Sequence, residues 1–349
     1  MKKKVAIVGY GGMGGWHARY ALKSDVIQLA GIYDIKETRN DAARTDGIHV
    51  YASYSDMIAD PDVEIVIIVT PNEVHLPQAV EAMAAGKHVV SEKPVALSSK
   101  ELAEMIDASV RYNRIFTVHQ NRRWDGDFLA MKKLYQTSND LGEIFNIESR
   151  VHGSRGIPGD WRGMKKHGGG MLLDWGVHLI DQILQMEKSK ISRIYCRFDH
   201  ITNDEVDDGF KLDLMFENGL IARVEVGTSN FIKLPRFYMQ GTNGTAIIRD
   251  WTSNCEVVCC KNNDEKDVKP VVTAAGLTKT MAPRTEDSVT QYEFELQRPD
   301  VHDFYRNVCA AIDGKEELIV KHDEVMRVMK VMEAAMESDR LGQVVDFNG

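Results

Sequence analysis

Residues 5–20 read VAIVGYGGMGGWHARY, and this stretch decides the fold. A short unbroken apolar run such as Val5–Val8 is the pattern of a strand buried on both faces. It runs directly into Gly9-Tyr10-Gly11-Gly12-Met13-Gly14, which satisfies G-x-G-x-x-G, and a helical pattern follows from about Gly12 to Lys23. The hexapeptide alone is a common accident, but between a strand and a helix it is the phosphate turn of a dinucleotide site. There the glycines allow a tight turn and close backbone approach to a pyrophosphate, while the helix N-terminus offers N–H groups and partial positive charge. The second strand pattern, VIQLAGIYD (26–34), ends in Asp34, 20 residues beyond Gly14. That is where a carboxylate holds the adenosine ribose hydroxyls. The same carboxylate repels a 2′-phosphate and favours NAD, while Lys36 and Arg39 just beyond keep NADP open. Ile35 and Arg39 complete this end of the expected cofactor site.

Outward from this stretch, the first ~120 residues continue as alternating strands and helices, the βαβ signature of a parallel sheet. EIVIIVT (64–70) and HVVSEK (88–93) are strands, PQAVEAMAAGK (77–87) is a helix ended by glycine, and IFTVHQN (115–121) closes the half. A helix over 98–114 has Ser98 or Ser99 as its cap. After Arg123 the period changes to two. IFNIESRV, ISRIYCRF, DGFKLDLMF, LIARVEVGT, RFYMQG and TAIIRD alternate, with ENG and GTNGT supplying turns, which predicts a mostly antiparallel sheet with one buried face. A helix around 172–186 interrupts it, helices at 300–314 and 323–338 end the chain, and 262–297 reads as a long polar loop. The fold class expected is an α/β Rossmann domain over 1–122, followed over 123–349 by an α+β domain with a large open sheet for substrate binding and oligomerisation.

The composition limits the partners. The chain has 349 residues, 43% hydrophobic and 27% charged, with a net charge of −9 and scattered basic residues. No concentrated positive surface for nucleic acid is expected, and no apolar run approaches the ~20 residues that span a bilayer. MKKKVAIVGYGG has a basic start, but its apolar part is too short for a signal peptide. Five cysteines (196, 255, 259, 260 and 309) form no C-x-x-C pair, as expected of a reducing cytoplasm without a zinc ribbon.

The chemistry gathers at strand ends. Thr70-Pro71-Asn72 with His75 and then Glu92-Lys93-Pro94 follow successive parallel strands, whose C-termini border the ligand crevice of such sheets. Further on, GGGMLLDWGVHLIDQ (168–182) carries Asp174, His178 and Asp181 at helical spacing through an otherwise apolar run. The triple glycine reads either as close backbone approach to a ligand or as a flexible loop. A histidine satisfied by Asp174 or Asp181 inside a buried helix explains the rest equally well in isolation. Asp174, His178 and His167 also have a spacing compatible with zinc, but no further ligand cluster supports a metal, and none is expected.

Together GYGGMG, TPNEVH, GKHVVSEKP, NRRWD (121–125) and GGGMLLDWGVH resemble the Gfo/Idh/MocA oxidoreductases over nearly the full length. The resemblance implies Lys93, Asp174 and His178 as the catalytic group, with Glu92, Lys93 and Asn121 touching the cofactor. It also implies a cyclic polyol, sugar or sugar derivative as substrate, and a homodimer or homotetramer formed through the second-domain sheet. The residue types suit the chemistry. A hydride leaves an alcohol carbon as the hydroxyl proton departs, so a base of near-neutral pKa is needed and His178 fits. Asp174, one turn earlier, is expected to orient that imidazole, and Lys93 to polarise the reacting oxygen. Arg123 and Trp161 are candidate substrate contacts beside Lys93, Asp174 and His178, and Asp160, Arg162 and His167 are weaker ones. Three other functions stay open: an NAD-dependent glycosidase, a reductase of nucleotide sugars or other carbonyls, and a non-catalytic nucleotide sensor.

Overall fold

Val5–Val8 sit at the middle of a five-stranded sheet because they carry no polar side chain on either face, and all four are buried. The computed structural model describes residues 2–261 and 268–348. Its first sheet is wholly parallel and built from β1 (Lys3–Val8), β2 (Ile27–Tyr33), β3 (Ile65–Ile68), β4 (His88–Ser91) and β5 (Phe116–Val118). The spatial order is β2-β1-β3-β4-β5. The chain moves outward in opposite directions on either side of β1, which opens the crevice at the strand C-termini where such sheets bind ligands. Helices Gly12–Lys23, His75–Ala84 and Ser99–Arg111 connect the strands. The last begins at Ser98, whose hydroxyl accepts the Glu101 N–H at 3.2 Å.

The second sheet has nine strands: β6 (Ile144–His152), β7 (Ile191–Asp199), β8 (Gly209–Phe216), β9 (Ile221–Gly227), β10 (Phe237–Gly241), β11 (Gly244–Ile248), β12 (Cys255–Cys260), β15 (Val289–Phe294) and β16 (Val345–Asp346), with a separate hairpin of β13 (Val271–Thr273) and β14 (Gly276–Thr278). Every pairing in the nine is antiparallel except β6 with β9. Alternation puts Leu212, Leu214, Ala222, Val224 and Val226 on the inner face. That face is covered by the wholly buried helix Val177–Met186 and by Val325, Val328, Met329 and Met332 of helix His322–Leu341.

The structure revises one sequence expectation here and adds detail to two others. The predicted loop over 262–297 contains the hairpin and an edge strand, β15, paired with β12; its residues 262–267 lie outside the described residues. Edge strands need no apolar alternation because one face and one edge meet water. The helix at 172–186 is two pieces, a π-turn over Leu172–Gly176 and an α-helix from Val177. The helix Asp303–Ile312 turns back to the first sheet. There Lys3 pairs with Asp313 at 2.9 Å, Arg306 with Asp25 at 3.0 Å, and the Cys309 thiol reaches the Val26 carbonyl. Among the described residues no helix is long and apolar enough to cross a membrane.

Candidate active site

The two sheets meet over a cavity of about 860 Å³. One wall is the crevice of the parallel sheet: the Gly11–Met13 turn, Thr70–Asn72 with His75, then Glu92 and Lys93. The other is Val151–Gly153 of β6 and Val226–Thr228 after β9. Trp161, Arg162, Asp174, Trp175 and His178 close the end beyond Lys93 together with Asn121 and Arg122.

The turn fits a dinucleotide phosphate. A Cβ on Gly14 would lie 2.1 Å from the Gly9 carbonyl oxygen, so only glycine lets helix and strand pack this closely. Gly12 has no atom within 4 Å of an added Cβ, and no side chain caps the helix at Gly11, which leaves its positive end toward the cavity. Gly9, Tyr10 and Gly14 build the turn from behind without lining the cavity. Asp34 is also turned inward. Its carboxylate accepts the Tyr10 N–H at 2.7 Å, the Lys36 N–H at 2.8 Å and the Arg39 guanidinium at 3.1 Å. The side chain on the cavity surface at this end is therefore Arg39, while Ile35 is exposed outside the lining.

His75 is buried between two loops, with Nε2 2.9 Å from the Thr70 carbonyl oxygen and Nδ1 3.2 Å from that of Pro94. Burial holds its pKa below the ordinary value, and the ring sits between the TPN and EKP segments, where a neutral imidazole donates to only one of these carbonyls. The Asn72 amide crosses to the second domain and donates to the carbonyls of His167 and Gly168 at 3.1 and 3.2 Å.

Lys93, Asp174 and His178 meet here. The Lys93 ammonium donates to the Asp174 carbonyl at 2.7 Å and to its carboxylate at 2.9 Å. The other carboxylate oxygen takes Arg162 Nε–H at 2.8 Å. Burial opposes ionisation of Asp174, but the Lys93 and Arg162 charges outweigh it and hold the pKa below the usual value. His178 is buried, and its Nδ1 has no hydrogen-bond partner in the structure. Burial first, then the Lys93 and Arg122 charges, keep its pKa well below that of a free imidazole. The ring stands edge-on to Trp175, centroids 6.1 Å apart.

Two expected roles change. Asp174 spends both carboxylate oxygens on cations, Lys93 and Arg162, and among the described residues none of its hydrogen bonds goes to His178. Arg123, expected to meet substrate, does not line the cavity. It is buried, bonded to Asp181 at 2.6 and 2.8 Å and to Glu324 at 2.6 Å, and this pairing also accounts for Asp181. The triple glycine packs against protein rather than ligand: a Cβ on Gly170 would meet Asp207 Oδ1 at 2.1 Å. Trp161 lines the cavity with the Arg162 guanidinium 4.6 Å from its ring centre, and Asp160 caps that turn. His167 bonds Glu73 and joins neither Asp174 nor His178.

Pattern reading missed Arg122, whose guanidinium lies 4.2 Å from the Trp175 ring centre, and Trp175 itself. Arg122 and Arg123 are adjacent in a 3₁₀ turn, and nothing in their spacing tells which one faces the cavity. It also missed His17, His119 and Tyr305. His17 Nε2 and His119 Nδ1 lie 2.9 and 2.8 Å from the same Glu92 oxygen, and His17 Nδ1 bonds the Tyr305 hydroxyl. His17, Glu92 and His119 are near enough to hold a metal ion. Sharing one oxygen at these distances is hydrogen-bond geometry, since ligands spread around a metal at ~2.0–2.2 Å lie farther apart from one another.

Fold and cavity define a two-domain nicotinamide enzyme, and relatedness agrees. Residues 3–120 match the family model "Oxidoreductase family, NAD-binding Rossmann fold", and residues 128–247 match the "GFO/IDH/MocA C-terminal domain". The chain is 30% identical over 308 residues to Schizosaccharomyces pombe "uncharacterized oxidoreductase C115.03", covering 83% of each. It is 27% identical over 349 residues to Bacillus subtilis "scyllo-inositol 2-dehydrogenase (NADP(+)) IolW", covering 97% of this chain and 94% of that one. The crystal structure of an "NAD-binding protein from Listeria innocua" superposes with a TM-score of 0.89 at 42% identity, over 99% of this chain and 97% of that one. The chain belongs to the Gfo/Idh/MocA family of NAD(P)-dependent oxidoreductases.

Proposed function

We propose that the protein is a dehydrogenase that moves a hydride between NAD(P) and a secondary hydroxyl or carbonyl of a cyclic polyol or sugar. The observation that carries this is one wall of the cavity, where the Lys93 ammonium, clamped by Asp174, stands with His178, whose Nδ1 has no hydrogen-bond partner among the described residues. His178 accepts the hydroxyl proton; burial and the Lys93 and Arg122 charges lower its pKa below the near-neutral value expected from sequence, which keeps the ring unprotonated and makes it a weaker base. Lys93 donates to the same oxygen and stabilises the charge that develops on it. Asp174 aims Lys93, and Arg162 holds Asp174 from the other side. When bound, the nicotinamide cofactor supplies the hydride acceptor or donor; the glycine turn, Arg39 and the Thr70–Asn72 and Glu92–Lys93 segments are the residues to hold it. Trp161 and Trp175 offer apolar faces suited to the C–H side of a ring bearing hydroxyls, and the named activity of IolW supports the same substrate class.

We divide the chain functionally at residue 122, with helix Asp303–Ile312 added to the cofactor unit. The outer face of the nine-stranded sheet, with Tyr195, Met215, Ile221, Ile247 and Val258 among its charges, is our candidate contact between copies. The deciding experiment presents a panel of inositols and aldoses with NAD+ and NADP+ and follows reduced cofactor. The expected result is turnover on at least one compound, reduced at least ~100-fold by His178→Ala with cofactor affinity unchanged. Absence of reduced cofactor across the panel, or an unaffected variant, overturns the reading.

A further inference from the structure

Glu92 differs from the other acids of the cavity in what faces it. Asp174 is paired with Lys93 and Arg162, and Asp160 with Arg162. Glu92 is buried, and the groups that hold it are N–H donors: His17 Nε2 at 2.9 Å and His119 Nδ1 at 2.8 Å on one oxygen, the Lys93 backbone amide at 3.1 Å on the other. The Lys93 ammonium points away, to Asp174. His17 Nδ1 bonds the Tyr305 hydroxyl while Nε2 faces Glu92, an arrangement that suits the neutral tautomer with its proton on Nε2 and the hydroxyl donating to Nδ1. Burial opposes ionisation of Glu92, yet the His119 and His17 rings that hydrogen-bond it hold its pKa well below the ordinary range. These parts come from the first helix, the ends of β4 and β5, and the returning helix Asp303–Ile312, so four separate elements hold one carboxylate in place.

Its location follows from the sheet order. Adenosine belongs over the end of β2 and pyrophosphate over the turn after β1. On the far side of that turn come β3 and then β4, so Glu92, which lines the cavity after β4, lies at the nicotinamide end.

We propose that Glu92, held by His17, His119 and Tyr305, is a fixed negative charge by which this protein discriminates the oxidised, cationic nicotinamide from the reduced, neutral one. His17, His119 and Tyr305 are positioning residues in this scheme, and the helix that bears Tyr305 is part of the cofactor site. A charge of this kind favours the bound state with oxidised cofactor, and with it the alcohol side of the hydride equilibrium on the enzyme.

The proposal rests on the cofactor site, and it is tested by binding, without turnover. Dissociation constants are measured for the oxidised cofactor, the reduced cofactor and ADP-ribose, which lacks the nicotinamide, using wild type and Glu92→Gln. Glu92→Gln is expected to lower the preference for the oxidised over the reduced form by about tenfold, the size of one unit charge acting across a partly screened site. ADP-ribose affinity should stay within about twofold. Equal weakening of all three nucleotides marks a structural role and overturns the proposal, as does an unchanged ratio. A wild-type protein that binds the reduced form about tenfold or more tighter overturns it whether or not the variant folds. If none of the three nucleotides binds wild type, the cofactor site itself is wrong and the proposal falls with it, a result distinct from the other two.

Discussion

Asp174→Asn is the substitution that separates a carboxylate serving Lys93 from one serving His178. Asp174 contributes a 2.9 Å bond to the Lys93 ammonium and a 2.8 Å bond to Arg162. The side chains of Lys93 and Asp174 are only 16% and 6% exposed, so solvent screens their bond little. Arg162 is more open and retains Asp160, so its share counts for less. One hydrogen bond to a charged group is worth about 1.5–3 kcal/mol, which corresponds to a loss of about 10- to 100-fold in kcat/KM if all of it serves the transition state. The assay is initial rate of cofactor reduction on the best compound of the panel, across pH, in wild type and in a Lys93→Met background. The loss should shrink to about threefold or less once Lys93 is gone, the level at which independent effects add. The acid limb of kcat/KM, which belongs to His178, should stay in place. An undiminished loss in the Lys93→Met background, or an acid limb moved by about one pH unit or more, refutes the assignment and returns Asp174 to the histidine.

Arg123→Met should cost about 3–5 kcal/mol of stability, the consequence of leaving Asp181 buried without its partner, and the melting temperature should recover when Asp181→Leu is added; an unchanged melting temperature with a raised KM would instead restore Arg123 as a substrate contact. Burial pushes Asp207 up to about 8, so between about pH 4 and pH 8 the folded state keeps a proton that the unfolded state has released. Stability from this group is therefore lost as pH rises through that window. Asp207→Asn should leave the melting temperature at pH 4 nearly unchanged and raise it by about 2 °C or more at pH 8, and calorimetry showing no gain at pH 8 would contradict the assignment. Arg39→Ala should weaken NADP(H) binding about tenfold and NAD(H) binding about threefold or less, because a guanidinium on the cavity surface meets a 2′-phosphate directly; equal losses in titrations of both would remove that role.

Much of this was legible without coordinates where a pattern is local. The buried strand before GYGGMG, the cap at Ser98, and the period-two runs of β6 to β11 depend on neighbours a few residues apart. The parallel and antiparallel halves followed from them. The motifs EKP and GGGMLLDWGVH were also legible, since residue type and order carry them. The edge strand β15 was not seen, because an edge requires no distinctive alternation, and neither was its neighbour β12, which is alternately buried but only six residues long.

What the sequence by itself determined is the list of chemical groups and the two architectures that carry them. Tertiary structure decided which groups face one another. Asp174 and His178 are four residues apart in a chain read as helix, yet Lys93, 81 residues away, takes the carboxylate. Arg122 and Arg123 are neighbours of one type, yet one faces the cavity and the other is locked to Asp181. Tyr305 lies 288 residues from His17 and bonds its ring. The physical reason is common to all three. A periodic pattern reports burial along one element, while a hydrogen bond between elements depends on how far each has been turned by packing, and sequence spacing carries no measure of that rotation.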